Sequence, residues 1–347
     1  MKFWTHYFYF ISSIMLTSVA LSACSSLLNP LLAAFIVALA LYPLTYFFET
    51  RFKLPALISA FLCVSVFIAA ILMLITFFTW QLSNLNFEIT SVQSTYDGLL
   101  GRIQHWIGHV FAIELAEQTA FLKKMYTSIL SNSMYFVNNT LSFTTHFLSS
   151  LILFAVSLLF ILYYRRFFVS FLYQVVPDHH KLKLSNILKR MPLTVKQYVL
   201  GLSLIILIIA VLNALGLYCL GIDNALFFGS MAAFLTLIPY IGITIGAILP
   251  MLYAFFTKQS LWYPLGVVAL FMFVQFLEGN FLTPKIVGQK VKINPFAAIW
   301  GLIISGTLLG LMGVLLAIPL LAIMKIICDE VPTLKPIGYL MGTKPST

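Results

Sequence analysis

Charge is scarce in this chain: 9% of its 347 residues are Asp, Glu, Lys or Arg, against roughly a quarter in an ordinary soluble domain. With 61% of the residues hydrophobic, no single globular core absorbs that much apolar surface, and a bilayer is the alternative. Acids are scarcer still, 10 against 20 Lys and Arg. The resulting +10 charge is spread through short clusters between apolar runs and forms no single basic domain. That is the pattern of cytoplasmic loops in a membrane protein, and it argues against a nucleic-acid partner. Cysteine is limited to Cys24, Cys63, Cys219 and Cys328, with no CxxC spacing, so they read as small apolar fillers and not as a disulfide or zinc framework. The sequence has no phosphate loop of Walker type, no HExxH and no GxSxG. ATP-driven pumping and the familiar hydrolase chemistries therefore have no foothold, and no enzyme activity or cofactor is expected.

What the chain does have is apolar runs, at about residues 7 to 27, 30 to 48, 56 to 80, 147 to 168, 198 to 220, 225 to 257, 261 to 283 and 295 to 328. A helical span needs about 20 apolar residues, and continuous runs without alternation exclude a barrel. The fold class expected is an all-α polytopic integral membrane protein with about eight membrane segments. The expected divisions are N-terminal transmembrane helices over 1-80 and an extracytoplasmic helical module over 81-146. Transmembrane helices follow over 147-220, with a cytoplasmic amphipathic linker at 165-196. A C-terminal transport core over 225-328 and a cytoplasmic tail over 329-347 complete the chain. The linker carries Arg165, Arg166, Lys181, Lys183, Lys189, Arg190 and Lys196, and its apolar spacing predicts one helix lying on the cytoplasmic headgroups.

The N-terminal stretch ends in Leu21, Ser22, Ala23 and Cys24, the pattern at which bacterial lipoprotein precursors are cut. Retaining residues 7 to 27 as a true span gives a topology that keeps both termini and the basic loops 49 to 55 and 165 to 196 inside, so Cys24 is expected to be unprocessed. Residues 225 to 257 and 295 to 328 overshoot a bilayer: as single helices each would be about 50 Å long at 1.5 Å per residue, against about 30 Å of hydrocarbon. Each is interrupted, by "IPYIG" at 238 to 242 and "GTLLGLMG" at 306 to 313. Each is either a kinked helix with an extended end or a re-entrant hairpin of two short limbs. The positive-inside rule favours hairpins entering from opposite faces, because Lys285, Lys290, Lys292, Lys335 and Lys344 then all lie inside. Oppositely directed broken elements are a recurrent way of building a transport site.

Several residues carry candidate roles. Gly242 and Gly246, flanked by Pro239 and Pro250, give a smooth packing stripe beside freed carbonyls. Glu278 is the only carboxylate well inside a membrane segment, with Gln275 and Asn280 beside it and a break at Gly279 and Pro284. An acid at that depth faces a cavity or a partner. Lys285, seven residues on, would share its face if the helix continued. Asn294 and Pro295 read as an N-cap with proline at the first helical position, and Asn29 and Pro30 as a repeat of that device. His105 and His109 are four apart in the polar module but lack a clear third ligand, so no metal site is expected.

"LIPYIGITIGAILP" and "QFLEGNFLTPKIVGQKVKINPFAAIWGLIISGTLLGLMGVLLAIPLLAIMKII" together resemble the autoinducer-2 exporter family of PerM-like permeases, and "NPLLAAFIVALALYPL" resembles that family's early helix pair. The resemblance implies about eight membrane segments in a bacterial inner (plasma) membrane. It also implies that the motif positions here are Pro239, Gly242, Gly246, Pro250, Gln275, Glu278, Gly279, Asn280, Pro284, Gly288, Pro295, Gly306, Gly310, Gly313 and Pro319. Ile238 and Ile243 depart from the acid and the proline that many relatives have there. The resemblance further implies a secondary transporter or exporter of a small polar solute, a signalling molecule such as autoinducer-2 among them, or exchange of H+ with Na+ or Li+. A non-transporting membrane scaffold is the rival. The expected partners are membrane lipid, the solute, H+ or Na+, and further copies of the chain in a homo-oligomer. Gly242, Gly246, Gly306 and Gly310 are expected to let the two hairpins approach one another and slide.

Overall fold

The computed structural model describes residues 2–83, 147–238, 242–258, 260–288 and 293–343. The module expected over 81-146, with His105 and His109, lies almost wholly outside the described residues, as does Pro239.

Two helices, α1 (Lys2–Ala23) and α2 (Ser25–Arg51), meet at Cys24, which is exposed in a one-residue break. The basic loop then leads into α3 (Ala56–Ser83). The helix α4 (Phe147–Tyr163) bends by 65° at Tyr164 into α5 (Arg165–Val175), a short amphipathic helix with no buried residue. The predicted single linker helix is therefore broken. Pro177 ends the chain's first stretch because it cannot donate to the helix, and a 3-10 turn over Asp178–His180 opens the long α6 (Lys181–Cys219). With 39 residues, α6 is about 58 Å long at 1.5 Å per residue. Hence residues 181 to 196 are the first turns of a helix continuous with the apolar run.

The remaining elements are α7 (Ala225–Leu235), α8 (Gly242–Thr257), α9 (Trp262–Leu277), α10 (Pro295–Glu330) and α11 (Lys335–Met341). By length and composition alone five of the described helices could cross a membrane, α10 among them if its break at Gly310 is ignored, or six if the bent α4/α5 pair is one span. No strand occurs among the described residues. Two buried hydroxyls settle on their own helices: Thr45, wholly buried, donates to the Leu41 carbonyl at 3.0 Å, and Ser230 to the Leu226 carbonyl at 2.6 Å. This is how a polar side chain is tolerated where water is absent.

Both overlong runs fold back on themselves. In the first, α7 and α8 have 11 and 16 residues, about 16 and 24 Å, too short to cross. A Cβ on Gly246 would stand 2.8 Å from the Ala232 Cβ, 14 residues back in the chain, so the limbs lie in direct contact. Lys258 Nζ reaches Asp223 Oδ2 at 3.3 Å, which brings the two ends of this hairpin together. In the second, Gly310 takes φ 63° and ψ −147°, a region open essentially to glycine alone. The chain reverses there: a Cβ on Gly306 would meet Val314 at 3.0 Å, and one on Gly301 would meet Leu321 at 2.3 Å.

The two hairpins open toward opposite ends of α6. The first opens beside Asp223, just past the C-terminus of α6. The second closes where Glu330 pairs with Arg190 at 3.0 Å, near the start of α6. That second end also holds the basic surface, where Arg166 meets Glu49 at 3.2 Å and Arg165 pairs with the same carboxylate. The first hairpin packs on α6 through α7 and the second through α10, and among the described residues no packed contact joins the two hairpins. Gly242 abuts the Leu235 carbonyl and Gly313 the Ser305 carbonyl, so these glycines bind each hairpin's limbs together.

Candidate functional site

The last turn of α7 tightens before the tip of the first hairpin. The N–H groups of Thr236, Leu237 and Ile238 donate to carbonyls three residues back, at 3.3, 3.1 and 2.9 Å. Facing this unwinding end, α9 loses its regular pitch at Glu278. Residues Glu278–Leu282 and Pro284–Gly288 form two π-helical turns, a geometry most often found as short interruptions at functional sites. Pro284 lacks an N–H, and Gly279 has open space around its α-carbon, so both residues ease the change of pitch.

A narrow cleft lies between these two irregular segments and α6. Its polar lining is Glu278 and Gln275 from α9, Thr236 from the hairpin tip and Asn213 from α6. Below it, Ile205, Ile209, Ala233 and Val274 seal the helices together in a buried apolar cluster. Glu278 is half-buried, and its Oε1 accepts from the Thr283 hydroxyl at 3.2 Å. Asn213 is 2% exposed, and its Oδ1 has no hydrogen-bond partner among the described residues. A buried amide oxygen left unpaired costs about 1 to 3 kcal/mol. The cleft thus combines a carboxylate, two amides and a hydroxyl against apolar walls. The cleft encloses about 10 Å³, room for one water-sized group, so as it stands this donor set can hold a bare cation or a single hydroxyl.

The structure brings only part of the predicted set to this place. Glu278 and Gln275 line the cleft. Asn280 is exposed and donates instead to its own helix, at 2.9 Å to the Phe276 carbonyl. Lys285 is exposed and makes no ion pair among the described residues. The reason is the change of pitch: π-helical bonding puts more than four residues in each turn, so seven residues no longer return to one face. Gly242, Gly246 and Pro250 shape the hairpin beside the cleft, Pro250 being fully buried within α8. Gly306, Gly310 and Gly313 belong to the other hairpin, away from the cleft.

Asparagine explains the remaining surprises. Asn294 is the N-cap of α10 as expected, accepting from the Ala297 N–H at 2.8 Å, with Pro295 at the first helical position. It also donates to the carbonyls of Leu340 at 2.6 Å and Gly342 at 2.9 Å, which closes the mouth of the second hairpin. Asn29 is no N-cap, because α2 starts at Ser25 and Pro30 lies inside it. Its Nδ2 instead donates to the Leu309 carbonyl at 3.1 Å, an acceptor freed by the reversal at Gly310. Asn213 and Thr236 escaped the sequence reading, although each is the lone strongly polar residue of an apolar stretch, "IIAVLNALGL" and "AAFLTLIP".

Long apolar helices, two hairpins opening toward opposite ends of one helix and a polar cleft at a helix break define a multi-pass membrane protein built like a transporter. Comparison with known proteins agrees. The model of the AI-2E family transporter matches residues 9–333, and the chain belongs to that family. Three relatives each carry the name "Putative transport protein". YrrI of Bacillus subtilis is 26% identical over 71% of this chain and 69% of its own length. YueF of the same organism is 26% identical over 59% of this chain and 56% of its own length. YhhT of Escherichia coli K12 is 30% identical over 43% of this chain and 42% of its own length.

Proposed function

We propose that the protein is a secondary transporter of a small polar solute in a bacterial inner membrane, with the Glu278 cleft as its binding site. The observation that carries this reading is the convergence of Glu278, Gln275, Thr236 and the unpaired Asn213 amide between a hairpin tip and a π-helical break. An acid and an unsatisfied amide held in an apolar interior are costly to the fold, and a ligand that completes them offsets the cost. The solute is a hydroxyl-rich molecule of the autoinducer-2 kind, which the cleft of about 10 Å³ admits only when the hairpin tip moves away from α9, or the cleft exchanges H+ for Na+ or Li+ on the same carboxylate.

Flux in proteoliposomes separates these readings when polar metabolites are screened under imposed H+ and Na+ gradients. Glu278→Gln is expected to remove most of the flux while leaving yield and gel-filtration profile unchanged. Asn213→Leu is expected to lower flux while the melting temperature holds or rises, since it removes an unsatisfied polar group of similar volume. Normal transport by both variants across the tested pH range would overturn the site.

A further inference from the structure

A second cavity lies on the basic face, away from the Glu278 cleft. It is a groove of about 910 Å³ between α2, the α4/α5 bend and the first turns of α6. Its lining changes along its length. Ala38, Leu39, Leu162 and Leu193 wall one end, and Tyr46, Arg166, Ser170, Tyr173, Ser185 and Lys189 line the other. Positions on α6 relate this gradient to the membrane. Ser185 to Leu193 is about 12 Å along the helix axis at 1.5 Å per residue, with the polar end toward the face that carries Glu49, Arg190 and Glu330. The groove is therefore basic and hydroxyl-rich at the level of the headgroups and apolar deeper in.

The charges in it are not all taken up internally. Glu49 is the acid beside the α4/α5 bend, and its Oε2 accepts from both Arg165 and Arg166, while Glu330 on the same face pairs with Arg190. Arg165 is committed to that pair and lies over the Tyr42 ring, 5.6 Å from its centroid. Arg166 remains 80% exposed in its side chain despite its 3.2 Å contact. Lys189 is exposed and pairs with no acid among the described residues. Two exposed cations thus line a groove that has no carboxylate in its own lining.

We infer that this groove binds an anionic phospholipid of the cytoplasmic leaflet, its phosphate held by Arg166 and Lys189 and an acyl chain laid along Leu39, Leu162 and Leu193. Charge complementarity selects the headgroup, and the apolar wall selects a lipid over a soluble phosphate. The α5 helix, bent by 65° from α4 and without buried residues, lies as an interfacial helix would beside such a lipid.

The test is native mass spectrometry of the purified full chain in detergent, titrated separately with dioleoyl phosphatidylglycerol and dioleoyl phosphatidylcholine. Each basic residue near a lipid surface is worth about fivefold in affinity, so the wild type should prefer phosphatidylglycerol by about 30-fold. The double variant Arg166→Gln, Lys189→Gln should bring the two lipids within about threefold of each other. The control double variant Lys181→Gln, Lys335→Gln, on the same face, should keep the preference. Equal binding of the two lipids by wild type, an unchanged preference in the first variant, or its loss in the control would each overturn the inference. So would binding of sn-glycerol 3-phosphate as tight as that of the lipid, which would make the apolar wall idle. Finally, Leu193→Cys in a background of Cys24→Ser and Cys219→Ser should stay monomeric on oxidation in membranes. A disulfide-linked pair would show that a second copy fills the groove.

Discussion

The two hairpins use the same device, a chain that enters the membrane and turns back, yet they are secured in different ways. The second is fixed at both ends. Asn294 ties its mouth to Leu340 and Gly342, and Lys325 bridges Asp329 at 2.8 Å and the Gly338 carbonyl at 3.2 Å, while Asn29 holds its tip through Leu309. Its second limb also packs into the buried cluster of Ala33, Ile36 and Val195. The first hairpin is joined at its mouth by the partly exposed ion pair of Asp223 with Lys258 and by a buried apolar cluster that includes Ile222, Phe228, Tyr253 and Ala254, and its tip lines the polar cleft. One hairpin is a strut, and the other presents its tip to the site. The difference teaches that a broken membrane helix is not by itself a functional element. What decides is whether its freed backbone groups are already taken by the protein.

The all-or-none test of this comparison is topological. In a background without native cysteines, single cysteines at Asp223 and Lys258 are expected to label from the same side of the membrane, and a cysteine at Lys335 only from the other. Labelling of Asp223 and Lys258 from opposite sides would abolish the first hairpin. Next in size is Gly310→Leu. A side chain at φ 63° and ψ −147° costs about 1 to 3 kcal/mol in strain, so the yield of folded protein and its melting temperature should drop sharply. Gly279→Ala, with nothing within 4 Å of the new carbon, should melt like wild type. The anchors test the comparison directly. Asn29→Ala leaves the Leu309 carbonyl unpaired, at about 1 to 3 kcal/mol, partly offset because the Asn29 Oδ1 it removes is itself buried without a partner among the described residues. Asp223→Asn breaks a pair whose acid is 67% exposed, worth at most about 1 kcal/mol. If the two variants melt alike in detergent, the distinction between strut and free tip does not hold.

Much of this architecture is legible in the sequence because the bilayer imposes length. Runs of 225 to 257 and 295 to 328 are too long for one crossing, and the charge pattern favours hairpins over kinked helices. Glu278 and Gln275 are legible for a related reason, since an acid in an apolar run is expensive anywhere but a site. What sequence reasoning loses is pitch and long-range partnership. It carries α-helical periodicity through Pro284 and so pairs Lys285 with Glu278, whereas the chain widens into π-helical turns. It reads Asn29 from its neighbour Pro30, whereas the partner is Leu309, 280 residues away. Apolar spacing likewise runs across Pro177 and gives one interfacial helix where there is a short one and the start of α6.

The clamp on the second hairpin also sets an order of events during synthesis. Asn294 must wait for Gly342, 48 residues later in the chain. At about 5 to 20 residues per second, that interval is roughly 2 to 10 s. Through it the apolar limbs of α10 exist with their mouth untied, far longer than a helix needs to form. The segment around Gly342 therefore acts as a latch on an element made seconds earlier.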